Sequence, residues 1–119
     1  IIFYKDKNGY SSILEYIETL KEKRFTNKDA KIKFKKISSY LDMFLENGLE
    51  IGEPYIKHLE DEIWELRPLR DRILYAYWDN NNFILLHQFV KKTQRTPRKE
   101  IKKAKRNLED YKRRSDKND

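Results

Sequence analysis

Apolar and polar positions along the chain fall into segments of different period, and each period predicts an element. Ile1-Ile2-Phe3-Tyr4 is a short, partly β-branched apolar run that suits a strand, and the Asn8-Gly9 turn signal follows it. Ser12 with Glu15 three residues later reads as a capping box, which opens a helix; Leu14, Ile17 and Leu20 give it a stripe, widened by Ile13 and Tyr16. Thr26-Asn27 can cap a second helix. There Ala30, Phe34, Ile37, Leu41 and Phe44 recur at helical spacing, and Gly48 suits its carboxy-terminal cap. Residues 12–47 therefore read as a helical hairpin.

After Pro54 the period changes. Residues 55–59 read as a short strand or a loop. Ile63 to Arg67 is a strand ended by Pro68, Arg72 to Trp78 is a second, and Asp79-Asn80-Asn81-Asn82 is a tight polar turn. Phe83 to Val90 is apolar on both faces except at His87 and Gln88, as expected of a central strand. Thr96-Pro97 reads as a hydroxyl cap with proline at the first helical position, opening a last helix whose narrow stripe is Ile101, Ala104, Leu108 and Tyr111. From Arg113 onward the chain is polar and is expected to fray. The sum is a single α+β domain over residues 1–119, with 113–119 as a frayed tail. It should have a small, twisted, mainly antiparallel sheet, a helical hairpin on one face and a basic C-terminal helix.

Composition narrows the chemistry. With 0 Cys, disulfides and zinc–thiolate sites are excluded, and two histidines make a histidine-rich metal site a poor expectation. No apolar run reaches the ~18 residues of a membrane span, and no signal peptide is visible, so a cytoplasmic setting without membrane partners is expected. The net charge of +7 is uneven: residues 91–119 hold 13 Lys and Arg against 5 Asp and Glu, and the rest of the chain is net −1. Such asymmetry suggests a polyanion, nucleic acid above all, with a merely solvated basic helix as the plainer reading.

Catalytic motifs are few. A Ser-His-Asp triad has no local support, and no HExxH or EF-hand pattern occurs. Glu60, Asp61, Glu62 and Glu65 could hold a hard cation, but a charged turn before a strand explains them better. More informative are the strand ends. Arg67 closes one strand, Arg72 opens the next, and Lys91 and Lys92 follow the third, so antiparallel geometry can gather all four at one rim. Arginine suits phosphate because its planar fork donates two parallel hydrogen bonds. Alternatively each cation reaches solvent or pairs with Glu65 or Asp71. His87 reads as a satisfied core histidine, and His58 as either a general base or a surface histidine without a role.

The run Phe89 to Ile101 (F-x-K-K-T-x-x-T-P-x-x-E-I), with Glu65-Leu66-Arg67 and Arg72-Ile73-Leu74-Tyr75, resembles the RelE/HigB superfamily of bacterial toxins in its phage-derived branch. The resemblance implies the toxin of a type II toxin–antitoxin system: an endoribonuclease that cuts messenger RNA on the 70S ribosome and inhibits translation. It implies no metal and no cofactor, attack by the message's own 2′-hydroxyl on the scissile phosphate, and a HigA-like helix-turn-helix antitoxin as partner. On this chain, Arg72 would stabilise the transition-state phosphate and Arg67 would hold the message backbone. Lys91 and Lys92 would bind phosphate or donate a proton, and Lys57 and His58 are the candidates for acid and base. Lys99, Lys102, Lys103, Lys105 and Arg106 on the last helix would dock ribosomal RNA. A non-catalytic binder of nucleic acid or protein on the same fold is the other reading.

Overall fold

Backbone capping and apolar spacing set the elements of the computed structural model, which describes residues 1–78 and 82–117. A short strand, β1 (Ile2–Phe3), leads into α1 (Ser12–Lys23). Its cap is Ser11 rather than Ser12: the Ser11 hydroxyl accepts from Leu14 N–H and its carbonyl from Glu15 N–H, so Glu15 sits one position beyond the capping-box place. Asn27 caps α2 (Lys28–Asn47) by accepting from Ala30 N–H. Gly48 ends that helix at φ 52°, a left-handed value that costs glycine nothing, and donates its N–H to the Phe44 carbonyl.

Four antiparallel strands follow: β2 (Ile56–Glu60), β3 (Ile63–Leu66), β4 (Asp71–Trp78) and β5 (Asn82–Val90). Residues 55–59, open between strand and loop by sequence, thus supply most of a strand. The order across the sheet is β1-β5-β4-β3-β2, so β4 is central and β5 lies inside, with β1 parallel along its outer edge. The expected turn at Asp79, Asn80 and Asn81 lies outside the described residues, while Asn82 pairs with Trp78.

Helix α3 (Arg98–Lys117) completes the chain. It runs through residues 113–117, where fraying was expected; residues 118 and 119 lie outside the described residues. Arg114 helps hold that end, pairing with Asp110 and donating to the carbonyls of Lys5 and Asp6. Pro97 precedes the first helical residue instead of being it: its carbonyl accepts from Glu100 and Ile101 N–H.

The sheet is covered on both faces. Ile13, Leu20, Ala30, Ile37 and Phe44 of the hairpin pack on Leu66, Ile73, Tyr75 and Leu85. Ala104 and Leu108 of α3 pack on Ile63, Leu74, Ala76, Ile84 and Leu86 of the other face. A bulge lets β5 serve both layers: Leu74 pairs with His87 but Tyr75 with Leu85, so Leu86 is extra and both Leu86 and His87 point toward α3.

An acidic turn clasps α3 to the sheet. Glu60 accepts from Arg98 and Lys105, Asp61 from Lys105, and Glu62 from Lys112. The hydrogen bonds from Arg98 and Lys105 hold the Glu60 carboxyl down to about 2, from an ordinary 4.5. A depressed folded-state pKa contributes stability above the ordinary value, lost as pH falls through the folded value. Wild type should therefore melt higher than Glu60→Gln at pH 7, and the gap should close between pH 4.5 and about 2. Thermal melts across that range check it; a gap independent of pH would contradict the clasp.

Candidate active site

Alternation along the strands puts Glu65 and Arg67 of the β3 segment on the α3 side of the sheet, with Leu74 and Arg72 of β4 beside them. Glu65 is buried, and three groups converge on its carboxylate. Thr96 donates its hydroxyl to Oε2; Arg67 Nε lies 3.5 Å and Arg72 Nε 3.8 Å from Oε1. Arg72 is also buried, and its Nη1 donates to the carbonyls of Leu69 and Asp71, at 2.8 Å each. Burial pushes the Arg72 guanidinium below its ordinary value, and the charge of Glu65 opposes that shift. Leu69 holds φ 56°, a left-handed conformation that costs a leucine about 1 kcal/mol. The turn it makes puts its carbonyl on Arg72.

Asp71 faces the other way. It accepts from Tyr16 Oη of α1 at 2.6 Å and from Gln88 Nε2 at 3.2 Å, which ties the start of β4 to the hairpin. Burial, then the bond to Asp71, raises the Tyr16 phenol well above its ordinary range and keeps it a donor.

The other residues singled out by sequence divide into two groups. Lys91 donates its backbone N–H to the Arg70 carbonyl at 2.7 Å, which brings the end of β5 beside the β3–β4 turn. Lys92 is exposed and lines a cleft of about 520 Å³ between the end of β5 and the start of α3, with Phe89, Thr93, Pro97, Lys99 and Glu100. Phe89 is the register partner of Arg72, so cleft and arginines adjoin. Lys57 is exposed and pairs in register with Glu65, on the same face. His58 is not brought to this group. It faces the opposite side of the sheet, beside the Trp64 ring at 4.8 Å, and its Nε2 bonds the Asp61 carbonyl at 2.7 Å. On α3, Lys99, Lys102, Lys103 and Arg106 are exposed, whereas Lys105 is held by Glu60 and Asp61.

Two features escaped the sequence reading. Thr96, taken for a helix cap, ties α3 to Glu65. His87, taken for core, lies 3.4 Å from Glu100 Oε1 at the wall of the cleft, where burial lowers its pKa despite that carboxylate. The signal for the first was Glu65 itself: a carboxylate between Trp64 and Leu66 in an apolar strand, two residues before an arginine, needs a cationic partner on its own face. The arrangement holds the Arg72 guanidinium by two hydrogen bonds and keeps Arg67, whose buried Nε has no hydrogen-bond partner among the described residues, beside the same carboxylate near a cleft with lysines on its lip, a geometry that can fix a phosphodiester and offset charge developing on it.

The family model described as phage-derived protein Gp49-like (DUF891) matches residues 23–109, which include every residue of this cluster. No curated protein matches the chain. Because Glu65 balances two guanidinium groups, its removal leaves buried positive charge uncompensated. Glu65→Leu should cost about 3 kcal/mol of unfolding free energy. Urea titration checks this through the midpoint; an unchanged midpoint would mean that the carboxylate does not hold the arginines.

Proposed function

Because the chain belongs to the phage-derived Gp49-like family, a toxin-like family of RelE/HigB type, we propose that it is the toxin of a toxin–antitoxin pair and cuts messenger RNA on the ribosome. One observation carries the chemical part: Arg67 and Arg72 share a buried carboxylate beside a cleft lined by Lys92 and Lys99. In the proposed reaction the message's 2′-oxygen bonds to the adjacent phosphorus and the bond from phosphorus to the 5′-oxygen breaks. The products are a 2′,3′-cyclic phosphate and a 5′-hydroxyl. Arg72 offsets the added charge of the phosphorane, and Arg67 holds the backbone; Arg72 is oriented by its two carbonyl partners before substrate arrives, so little reorganisation opposes the step. Lys91 and Lys92 bind the flanking phosphates or protonate the leaving oxygen. Lys57, on the same face as Glu65, is the candidate for the 2′-proton. The chemistry asks for no metal or cofactor. The partner that silences the toxin is a helix-turn-helix antitoxin of HigA type, and the site of action is the cytoplasm.

The turn of His58 away from the arginines favours a second reading, a non-catalytic module that binds nucleic acid or protein through the same cations. Arg72→Lys separates the two. Lysine keeps the charge that Glu65 needs and loses the planar fork. In cells expressing the protein alone, mapping of message ends should find cyclic-phosphate termini with wild type. With Arg72→Lys at equal soluble level, they should fall about 100-fold, and growth should recover. Undiminished growth arrest with no such termini in either strain would favour the binding module.

A further inference from the structure

The last helix carries the visible charge excess, yet much of that charge is engaged. Arg98, Lys105 and Lys112 pair with the acidic turn, and Arg113 and Arg114 pair with Asp110. A second basic surface is hidden in a net charge near zero. Residues 21–36 hold eight Lys and Arg against Glu22 and Asp29 alone. Lys21, Lys23 and Arg24 lie at the end of α1 and just past it. Lys28, Lys31, Lys33, Lys35 and Lys36 lie in the first half of α2. Among the described residues, none of the eight enters an ion pair. Lys28, Lys31, Lys35 and Lys36 are exposed and fall on the arc of α2 opposite buried Ala30 and Ile37.

The hairpin tip overhangs the rim that carries the arginines. Phe44 of α2 stacks on Phe83 at 4.5 Å and meets Tyr75 at 4.8 Å, over the middle of the sheet. One turn earlier the Tyr40 ring reaches Tyr55, whose carbonyl accepts from Arg67 N–H, so α2 runs from Phe44 toward the rim. From Phe44 back to Lys28 the helix runs about 24 Å, whereas from Tyr75 to the start of β4 is about 13 Å. The first half of α2 thus extends about 10 Å past the sheet. The Tyr16–Asp71 hydrogen bond fixes α1 at the same rim, with its last two turns running beyond it toward the tip.

We infer that this arm is a docking surface for the phosphate backbone of double-helical RNA, distinct from the strand that enters the cleft. Charge complementarity selects a polyanion. Arm and cleft lie on opposite faces of the sheet, so both can be filled at once. A surface for single strands would need a row of stacking aromatics. The tip offers one exposed ring, Phe25, already covered on one side by the Arg24 guanidinium at 4.2 Å. Lysines at fixed spacing on a rigid helix pair suit the regular phosphates of an A-form duplex, which proteins read by shape. The assignment does not depend on cleavage: a protein that only binds would use the arm in the same way.

The test measures binding of the full chain, without ribosomes, to three probes: a 16-base-pair RNA duplex, one strand of it with 2′-O-methyl groups that block cutting, and poly-glutamate. Wild type should prefer the duplex. A variant carrying Lys28→Gln, Lys31→Gln, Lys35→Gln and Lys36→Gln, with an unchanged melting curve, should bind the duplex at least 10-fold more weakly in 0.1 M salt. Its slope of log affinity against log salt should be shallower by about 3.6, at roughly 0.9 for each of four phosphates no longer neutralised. Lys99→Gln, Lys102→Gln, Lys103→Gln and Arg106→Gln together should have a smaller effect on the duplex. Unchanged affinity and slope in the arm variant would overturn the inference, as would equal binding of the single strand or of poly-glutamate. Neither result bears on the message ends that test cleavage.

Discussion

Glu65 is a carboxylate placed where the sheet meets α3, and a charge buried there is tolerable only with its partners in place. Its needs organise that end of the molecule. Arg67 and Arg72, two residues that repel each other, are held side by side because one carboxylate lies within 4 Å of both. Thr96 spends its hydroxyl on the same group, which sets where α3 begins and therefore where the cleft wall stands. The left-handed turn at Leu69 completes the enclosure, since its carbonyl accepts a hydrogen bond from Arg72 that would otherwise go to water. An arginine so enclosed has lost the freedom to reorient, which is what a group acting on a short-lived charge distribution requires.

The surface charge is divided by the same logic of pairing. The acidic turn at Glu60, Asp61 and Glu62 neutralises three cations of α3 and fastens the helix over the sheet. The hairpin carries its cations past the last strand residues, out of reach of that turn. Among the described residues its exposed lysines enter no ion pair and have only Glu22 and Asp29 near them in sequence, while Asp42, Glu46 and Glu50 lie in or after the second half of α2 and offset them only in the total. Net charge by segment is thus a poor guide to where a polyanion binds, because ion pairs between distant segments cancel locally and leave other patches intact.

Much of the architecture was legible in the sequence. The 3.6-residue spacing of Ala30, Ile37 and Phe44 required a helix with one buried face, and the apolar run from Phe83 to Val90 required a strand inside the sheet. Capping chemistry located the start of α2 to within a residue, since Thr26 and Asn27 can both accept from the first turn and Asn27 does; at Ser11-Ser12 two equivalent hydroxyls left the choice to the turn that precedes them. The motif around Lys91, Lys92, Thr96 and Pro97 pointed to the family that the match over residues 23–109 establishes.

What the linear pattern determined was periodicity, and periodicity names a face without saying what stands across from it. Arg67, Arg72, Lys91 and Lys92 were legible as strand-end cations. Register decided that the two arginines meet Glu65, that Lys57 joins their face and that His58, one residue on, turns to the other. Thr96 shows the same limit: a hydroxyl before a proline has the chemistry of a helix cap, yet the first-turn N–H groups of Glu100 and Ile101 go to the Pro97 carbonyl, and the Thr96 O–H donates to a buried carboxylate 31 residues away. The exposure of the hairpin lysines was also settled in three dimensions, by how far α2 outruns the strands it covers, a length difference set by 1.5 Å per helical residue against about 3.3 Å per strand residue.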